Sequence, residues 1–264
     1  MNDELRALAG CLKTYLELHG RGHFFLPYST ETSDAASIQI QSSEQKIEAF
    51  TSLQESPSAS FSPPLANMLV LDDKIQDIHE LKNNWGACTR CKLAPGRTHL
   101  VFGEGATPAD LMFIGEGPGE QEDLQGRPFV GKAGELLTRM IEAMGLRREN
   151  VYIANIVKCR PPGNRDPEPD EIEACMPVLL AQIRCVRPRV IVSLGRISAQ
   201  TLLGTATPIS RLRGKWHQFQ GIDLMPTFHP AYLLRSPEKK KEAWMDLQAV
   251  MNQLGEPHGP KCNE

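Results

Sequence analysis

Four short apolar segments, separated by stretches with helical features, constrain the fold of this chain more than any other feature of its sequence. The apolar segments are residues 111–114, 151–156, 190–194 and 224–228. The helical stretches between them are residues 134–144, 170–186 and 198–203. Because each apolar segment can be covered on both faces, the alternation predicts a three-layer α/β/α domain with a short central parallel sheet. Ligands of such folds bind beyond the carboxyl ends of the strands, so the loops there are the candidate site.

The chain divides into an N-terminal part without this pattern and a C-terminal domain that has it. Residues 1–28 contain an amphipathic helical stripe, and residues 29–66 contain ten Ser, three Thr and three Pro with few apolar side chains. The latter composition is typical of a flexible linker, because it cannot bury enough apolar surface to fold. We therefore expect an N-terminal helical segment at 1–28, a linker at 29–66, one globular domain at 67–256 and a tail at 257–264.

Charge is distributed unevenly along the chain, although the formal net charge is only −3. Residues 1–80 carry 5 Lys and Arg against 12 Asp and Glu, and the remainder carries 24 against 20. A mildly basic domain is compatible with a polyanionic partner such as nucleic acid. The sequence shows no secretory signal and no apolar run long enough to span a bilayer, so we expect a cytoplasmic protein without a membrane partner.

Four of the seven cysteines have a spacing that indicates a metal site. Two residues separate Cys88 from Cys91, a spacing that lets both sulfurs face one metal, and Cys159 and Cys175 follow further along the chain. An odd number of cysteines without an export signal argues against a disulfide framework. Four thiolates suit either a structural Zn²⁺ or an iron–sulfur cluster, and spacing alone does not choose between them. Unrelated buried cysteines are the alternative.

A glycine-rich turn follows the first predicted strand. In Gly115-Glu-Gly-Pro-Gly119, three alternate glycines let the backbone approach a ligand closely and direct its N–H groups at an anion or a carbonyl. The turn does not match the dinucleotide-binding fingerprint, because its spacing is one residue short and acidic residues surround it. A tight connecting turn without a ligand is the alternative.

Three more side chains occupy positions that suit a binding site. Phe129 lies in a loop that could present an aromatic face, Asn155 lies at the end of a predicted strand, and His229 follows another strand and is fixed by Pro230. Each has a simpler explanation: a core phenylalanine, a turn-forming asparagine and a histidine that only packs.

Taken together, these segments resemble the family 4 uracil-DNA glycosylases. The resemblance covers residues 85–254 and rests on six motifs that occur in the right order. They are the four cysteines and residues 115–123, 126–134, 155–165, 213–216 and 229–235. The resemblance implies a small parallel sheet between helices, which agrees with the alternation of strands and helices.

For the pocket, the resemblance implies that the target base is flipped out of the duplex and read along its Watson–Crick edge. Asn155 would accept from uracil N3–H and donate to O4, a pattern that cytosine reverses. Phe129 would stack on the base, and Glu122 would lie near C5, where the methyl group of thymine would clash. His229 would bind uracil O2 as negative charge develops there, assisted by main-chain N–H groups around Gly117.

For the chemistry, the resemblance implies hydrolysis of the N-glycosidic bond. Glu116 and Asn164 are the polar candidates for positioning the attacking water. No lysine is indicated as a Schiff-base nucleophile, so we expect a monofunctional enzyme that leaves an abasic site and starts repair of deaminated cytosine.

The resemblance also implies a [4Fe–4S] cluster on the four cysteines and a DNA-binding surface beside the pocket. Leu233 and Leu234 would form an apolar wedge in the vacated base stack, with Arg235 near phosphate. Arg160 and Arg165 would face the DNA backbone. The cluster would be structural, because hydrolysis needs no electron transfer. The expected partner is single- or double-stranded DNA containing uracil, bound by a monomer, and the N-terminal segment is a candidate contact for a repair or replication protein.

Two other functions are compatible with parts of this pattern. One is a relative that traps the abasic product covalently, which would need a basic, His-containing insertion after Phe129, where residues 131–134 instead run straight into a predicted helix. The other is a non-catalytic DNA-binding module with a cluster, in which Asn155, Phe129 and His229 would all have no function.

Overall fold

The structure, a computed structural model, describes residues 77–255. The predicted N-terminal helix, the linker and the C-terminal tail lie outside the described residues. Six strands form one sheet in the order β1-β3-β2-β4-β6-β5. The strands are β1 (Glu104–Gly105), β2 (Leu111–Gly115), β3 (Tyr152–Asn155), β4 (Val190–Leu194), β5 (His217–Phe219) and β6 (Ile222–Thr227).

The four central strands β3, β2, β4 and β6 are parallel, as the sequence predicts. Their residues are almost all buried, because helices cover both faces of the sheet. The two edge strands, β1 and β5, pair antiparallel and were not expected from the sequence. Both are too short for an alternating pattern to show. Strand β3 lies on one side of β2 and strand β4 on the other. Because the connections after β2 and β3 therefore leave the sheet in opposite directions, a crevice opens at the carboxyl ends of these strands.

Eight α-helices of the described part surround the sheet. Helices α3 and α8 share one buried cluster with one face of the strands, and α4 and α5 share another cluster with the opposite face. The three-layer α/β/α fold is therefore confirmed, with predicted helix ends shifted by one or two residues. The helices are α1 (Ile78–Trp85), α2 (Glu120–Gln125), α3 (Lys132–Ala143), α4 (Pro169–Val186), α5 (Arg196–Leu203), α6 (Ile209–Leu212), α7 (Pro230–Arg235) and α8 (Lys240–Leu254).

Helix α1 adds a small outer layer that positions the first pair of cysteines. Leu81 and Trp85 of α1 pack against Val178 and Ala181 of α4. The main-chain N–H of Cys88 then donates to the carbonyl of Trp85 at 3.0 Å, which starts the cysteine segment directly beside α4. Within residues 77–255, no helix is long and apolar enough to cross a membrane.

Candidate active site

A cleft of about 450 Å³ opens at the carboxyl ends of the central strands. This volume is within the roughly 300–1,000 Å³ that is usual for small-molecule sites. Nine of the residues that the sequence places in the site line this cleft, although they come from several separate segments. They are Glu116, Gly117, Glu122, Phe129, Asn155, Asn164, Arg165, His229 and Arg235.

Asn155 ends strand β3 and is 1% exposed, and its side-chain oxygen Oδ1 has no hydrogen-bond partner within the described residues. A buried acceptor left without a donor is unfavourable, so this oxygen fits a donor that comes from a ligand. Gly115 lies opposite Asn155 in the sheet. A Cβ on Gly115 would lie 2.4 Å from Asn155 Oδ1 and 2.5 Å from Phe129 Cζ. Only glycine therefore lets these two side chains meet at the bottom of the cleft.

Phe129 is held in the cleft by a backbone conformation that residues other than glycine rarely adopt, with φ of 52°. The carboxylate of Glu122 stabilises this loop, since Oε1 accepts from the main-chain N–H groups of Val130 and Gly131 at 2.9 and 3.0 Å. Glu122 Oε2 accepts from the N–H of Gly119 at 3.1 Å. Glu122 thus joins the glycine turn to the loop that carries Phe129.

His229 lies at the start of helix α7, where its Nδ1 accepts from the main-chain N–H of Ala231 at 3.1 Å. Burial, together with the positive charge of Arg235, lowers the pKa of His229 to about 4. The imidazole is therefore neutral near pH 7, and its proton is on Nε2, because Nδ1 is an acceptor. The His229 ring centroid lies 5.6 Å from that of Phe129.

Glu116 lies in the glycine turn beside Asp166, which the sequence did not identify as a site residue. Burial, followed by the charge of Asp166, raises the pKa of Glu116 to about 7, although Arg196 opposes this shift. Asp166 and Arg196 form an ion pair. A carboxyl group whose pKa is near neutral is suited to general acid–base chemistry. Asp166 directly follows Arg165 in the sequence, but its proximity to Glu116 is a tertiary contact.

Asn164 lies in an exposed turn at the edge of the cleft. Its Oδ1 accepts from Arg160 Nε at 2.8 Å, which leaves its amide group to act as a donor. Arg165 forms a bidentate ion pair with the buried Glu171. Its Nη1 donates to Oε2 at 2.8 Å and its Nη2 donates to Oε1 at 2.6 Å. Its guanidinium therefore anchors the start of α4 as well as lining the cleft.

The two leucines expected to form a DNA wedge have different environments. Leu233 is 1% exposed and belongs to the core cluster that α3 and α8 share with the sheet. The assignment of Leu233 to the DNA surface is therefore wrong, because a side chain that packs the core cannot also enter a base stack. Leu234 is 39% exposed on the same helix, so only this leucine has the exposure that a wedge requires.

Cys88, Cys91, Cys159 and Cys175 line one cavity beside α4. Arg97 Nη1 donates to Cys159 Sγ, and the main-chain N–H of Lys158 donates to Cys175 Sγ, both at 3.3 Å. Neither contact was expected from the sequence. Within residues 77–255, no three Cys, His, Asp or Glu side chains are grouped tightly enough to hold a single metal ion.

The residues that line the cysteine cavity fit an iron–sulfur cluster. Four thiols border one cavity, and hydrogen bonds to sulfur, such as those that Cys159 and Cys175 accept, are typical of iron–sulfur sites. Burial raises the pKa of the Cys175 thiol to about 11. Such a thiol stays protonated by itself near pH 7 and becomes a ligand only when a metal displaces its proton.

Comparison with known proteins identifies the family to which the chain belongs. The family described as "Uracil DNA glycosylase superfamily" matches residues 102–248. The chain therefore belongs to the uracil-DNA glycosylase superfamily. It is 48% identical over 176 residues to a type-4 uracil-DNA glycosylase of Saccharolobus solfataricus, an alignment that covers 63% of this chain and 82% of the relative.

A type-4 uracil-DNA glycosylase of Thermotoga maritima is 50% identical over 153 residues, which is 56% of this chain and 79% of the relative. A type-5 uracil-DNA glycosylase of Thermus thermophilus is 33% identical over 118 residues, which is 39% of this chain and 53% of that relative. Within the superfamily, the chain is thus a member of the type-4 family.

Proposed function

We propose that this chain removes uracil from DNA by hydrolysing its N-glycosidic bond and leaves an abasic site. The observation that carries the proposal is the unpartnered Oδ1 of the buried Asn155, at the bottom of a cleft that Phe129 and His229 also line. A planar ligand with an N–H donor on its edge satisfies this oxygen and lies against the aromatic ring. Uracil has that donor at N3.

Selection of the base depends on the two polar groups of Asn155. Its Oδ1 accepts from uracil N3–H while its amide donates to O4; cytosine presents an acceptor and a donor in the opposite order and leaves both groups unpaired. A mismatch of this kind in a buried site discriminates strongly between substrates. Glu122, whose carboxylate is already held by main-chain N–H groups, occupies the side of the pocket where the C5 methyl of thymine would clash.

Bond cleavage depends on groups that stabilise charge on both sides of the breaking bond. The neutral His229 donates from Nε2 to uracil O2, where negative charge develops, and main-chain N–H groups around Gly117 assist. Glu116, in its ionised form, accepts a proton from the attacking water, and the Asn164 amide helps to orient that water. Helix α3 begins at Lys132, three residues after Phe129, which leaves no room in this connection for a product-trapping insertion.

The proposed cofactor is a [4Fe–4S] cluster held by Cys88, Cys91, Cys159 and Cys175. When bound, the cluster would supply a structural cross-link between the segment after α1, the loop after β3 and the first half of α4. This chain's own residues then hold the loop between Cys159 and α4, which carries Asn164 and Asp166, against the cleft.

The proposed DNA surface surrounds the mouth of the cleft. Arg160, Arg165 and Arg235 face the phosphate backbone, and Leu234 occupies the space that the flipped nucleotide leaves. We further propose that the enzyme acts as a monomer in the cytoplasm, where genomic DNA is its substrate. Residues 1–28 remain a candidate contact for a repair or replication protein.

The deciding experiment measures free uracil released from a uracil-containing oligonucleotide by anaerobically purified protein. A thymine-containing strand of otherwise identical sequence is the control. We expect selective release with strand scission only after alkali, and strong loss of release in Asn155→Ala and His229→Ala. Cluster-loaded protein that binds DNA but releases no uracil would instead identify a DNA-binding module.

A further inference from the structure

Lys158 lies between the cysteine cavity and the base cleft and is 1% exposed. Its Nζ donates to the main-chain carbonyl of Asn155 at 2.6 Å. Its main-chain N–H donates to Cys175 Sγ at 3.3 Å, and its carbonyl accepts from the N–H of Val101 at 2.9 Å. One residue therefore contacts both a cysteine of the cavity and the residue that reads the base.

The ammonium group of Lys158 is unusual for a protein interior. A fully buried Lys is rare unless it is paired, because removing the charge from water is strongly unfavourable. Two of the thiols that line the cysteine cavity adjoin Lys158, since Cys159 follows it in the chain and Cys175 Sγ accepts from its main-chain N–H. Four thiolates that bind a cluster carry more negative charge than the iron core neutralises, so they supply the anionic partner that this ammonium needs.

The main-chain carbonyl of Asn155 is the group through which Lys158 acts on the base cleft. Beyond Asn155, the main-chain N–H groups of Ile156 and Val157 donate to the carbonyls of Gly115 and Glu116 at 2.9 and 3.1 Å. The carbonyl of Asn155 itself receives the Lys158 ammonium. Lys158 thereby sets the orientation of the peptide unit that follows Asn155, and with it the position of the Asn155 side chain in the cleft.

We propose that Lys158 is a positioning residue that couples the cysteine-bound cluster to the uracil-reading Asn155. The proposal rests on the proposed function, because it assigns Asn155 to uracil recognition. It predicts that removing the Lys158 ammonium impairs the retention of the cluster and, separately, the selectivity for uracil.

Arg97 provides a matched control. It is also a cation at the cysteine cavity, since its Nη1 donates to Cys159 Sγ at 3.3 Å and to the carbonyl of Cys88 at 2.6 Å. It does not line the base cleft and has no hydrogen bond to Asn155 within the described residues. Replacing Arg97 perturbs the cluster environment without touching the residue that reads the base.

The test compares Lys158→Met, Lys158→Gln and Arg97→Met in the full chain, purified without oxygen and normalised to bound iron. Binding is measured to a duplex containing 2′-fluoro-2′-deoxyuridine, whose glycosidic bond resists cleavage, and to the matched thymine duplex. Lys158→Met is expected to reduce the preference for the uracil duplex by about tenfold, which is the effect of losing one charged hydrogen bond. Arg97→Met is expected to retain the wild-type preference while losing iron faster.

Lys158→Gln separates the two roles of the side chain, because its amide can still donate to the Asn155 carbonyl but has no charge. It is expected to lose iron faster than the wild type and to keep most of the preference for uracil per bound cluster. If Lys158→Gln holds iron as firmly as the wild type, the charge role is wrong. If Lys158→Met retains the preference of Arg97→Met, the coupling to Asn155 is wrong.

Failure of the coupling can be distinguished from failure of the proposed function. A wild-type protein that neither prefers the uracil duplex nor releases uracil contradicts the proposed function itself. A wild-type protein that does both, beside a Lys158→Met protein with unchanged preference, contradicts only the role of Lys158. If Lys158→Met does not fold, Lys158→Ala, which also lacks the ammonium, replaces it in the comparison with Arg97→Met.

Discussion

The main-chain N–H of Ala231 donates to Nδ1 of His229 at 3.1 Å, and this one contact determines which side of the imidazole can act on a substrate. Because Nδ1 is an acceptor, the neutral ring carries its proton on Nε2. Burial and the charge of Arg235 lower the pKa of His229 to about 4, so the ring stays neutral at physiological pH. The neutral ring can therefore donate a hydrogen bond from Nε2 to a developing anion while Nδ1 stays bonded to Ala231.

The first prediction concerns His229→Ala. We expect this variant to release uracil about 10²- to 10³-fold more slowly, because removing one donor from a preorganised anion-binding site typically has that effect. Single-turnover release from a uracil-containing strand measures the rate, and binding to the same strand should change little. A rate within threefold of the wild type would contradict the assignment.

The second prediction is a pH profile set by Glu116. Burial and Asp166 raise its pKa to about 7, so the ionised form that accepts a proton from water increases as the pH rises through this value. We expect kcat/KM to increase from about pH 5.5 to about pH 8 in the wild type. In Glu116→Gln the rate should be low and this increase should be absent. An unchanged profile in Glu116→Gln would assign the titration to another group.

The same raised pKa predicts a change in stability. The folded state binds a proton at Glu116 more tightly than the unfolded state does. The stability that this group contributes is therefore fully present below the ordinary glutamate pKa of 4.5, and it is lost as the pH rises through about 7. Glu116→Gln removes this loss and should raise the unfolding temperature at pH 8 relative to the wild type, but not at pH 4. Thermal unfolding of both proteins at the two pH values checks the sign of this effect. If Glu116→Gln raised the unfolding temperature less at pH 8 than at pH 4, the predicted sign would be wrong.

The fourth prediction tests the close approach around Gly115. A Cβ at this position would lie 2.4 Å from Asn155 Oδ1 and 2.5 Å from Phe129 Cζ, so Gly115→Ala should displace both side chains. We expect the rate of uracil release to fall by a larger factor than the fraction of folded protein does. Gly96→Ala is the control, because a Cβ there meets nothing within 4 Å. Full activity in Gly115→Ala would mean that the cleft is not the uracil pocket.

The fifth prediction concerns the exposed leucine of α7. If Leu234 fills the vacated base stack, Leu234→Ala should slow excision from duplex DNA more than from a single strand, since only the duplex has a stack to fill. Met245, which is 58% exposed on α8, supplies the matched control in Met245→Ala. If Leu234→Ala slowed excision equally from the duplex and from the single strand, Leu234 would not be the wedge.

The sequence predicted the parts of the molecule whose pattern is local. The central strands are short apolar runs. Asn155 could be placed at the candidate site because it lies at the end of one such run, and His229 because it directly follows another. The edge strands β1 and β5 have two and three residues, too few for any periodicity. Leu233 and Leu234 could not be told apart, because a six-residue helix does not reveal from its sequence which face it buries.

Contacts between segments that are distant in the sequence could not be predicted, for a different reason. Asp166 raises the pKa of Glu116 only because the loop after β3 folds against the glycine turn after β2. Lys158 belongs to a basic segment of the sequence, and lysines in such segments are usually solvated. Nothing in the neighbouring residues indicates that this side chain is buried between two functional cavities.

The pairing of Gly115 with Asn155 across strands β2 and β3 has a consequence for how the enzyme matures. Successive residues of a strand point to opposite faces of the sheet, so a slip of one residue would turn the Asn155 side chain away from the cleft. The cleft in which we propose that uracil binds is therefore complete only when the middle of the sheet has assembled in its native register. A copy with a slipped register would lack the proposed base-reading side chain and so would not excise bases before folding is finished.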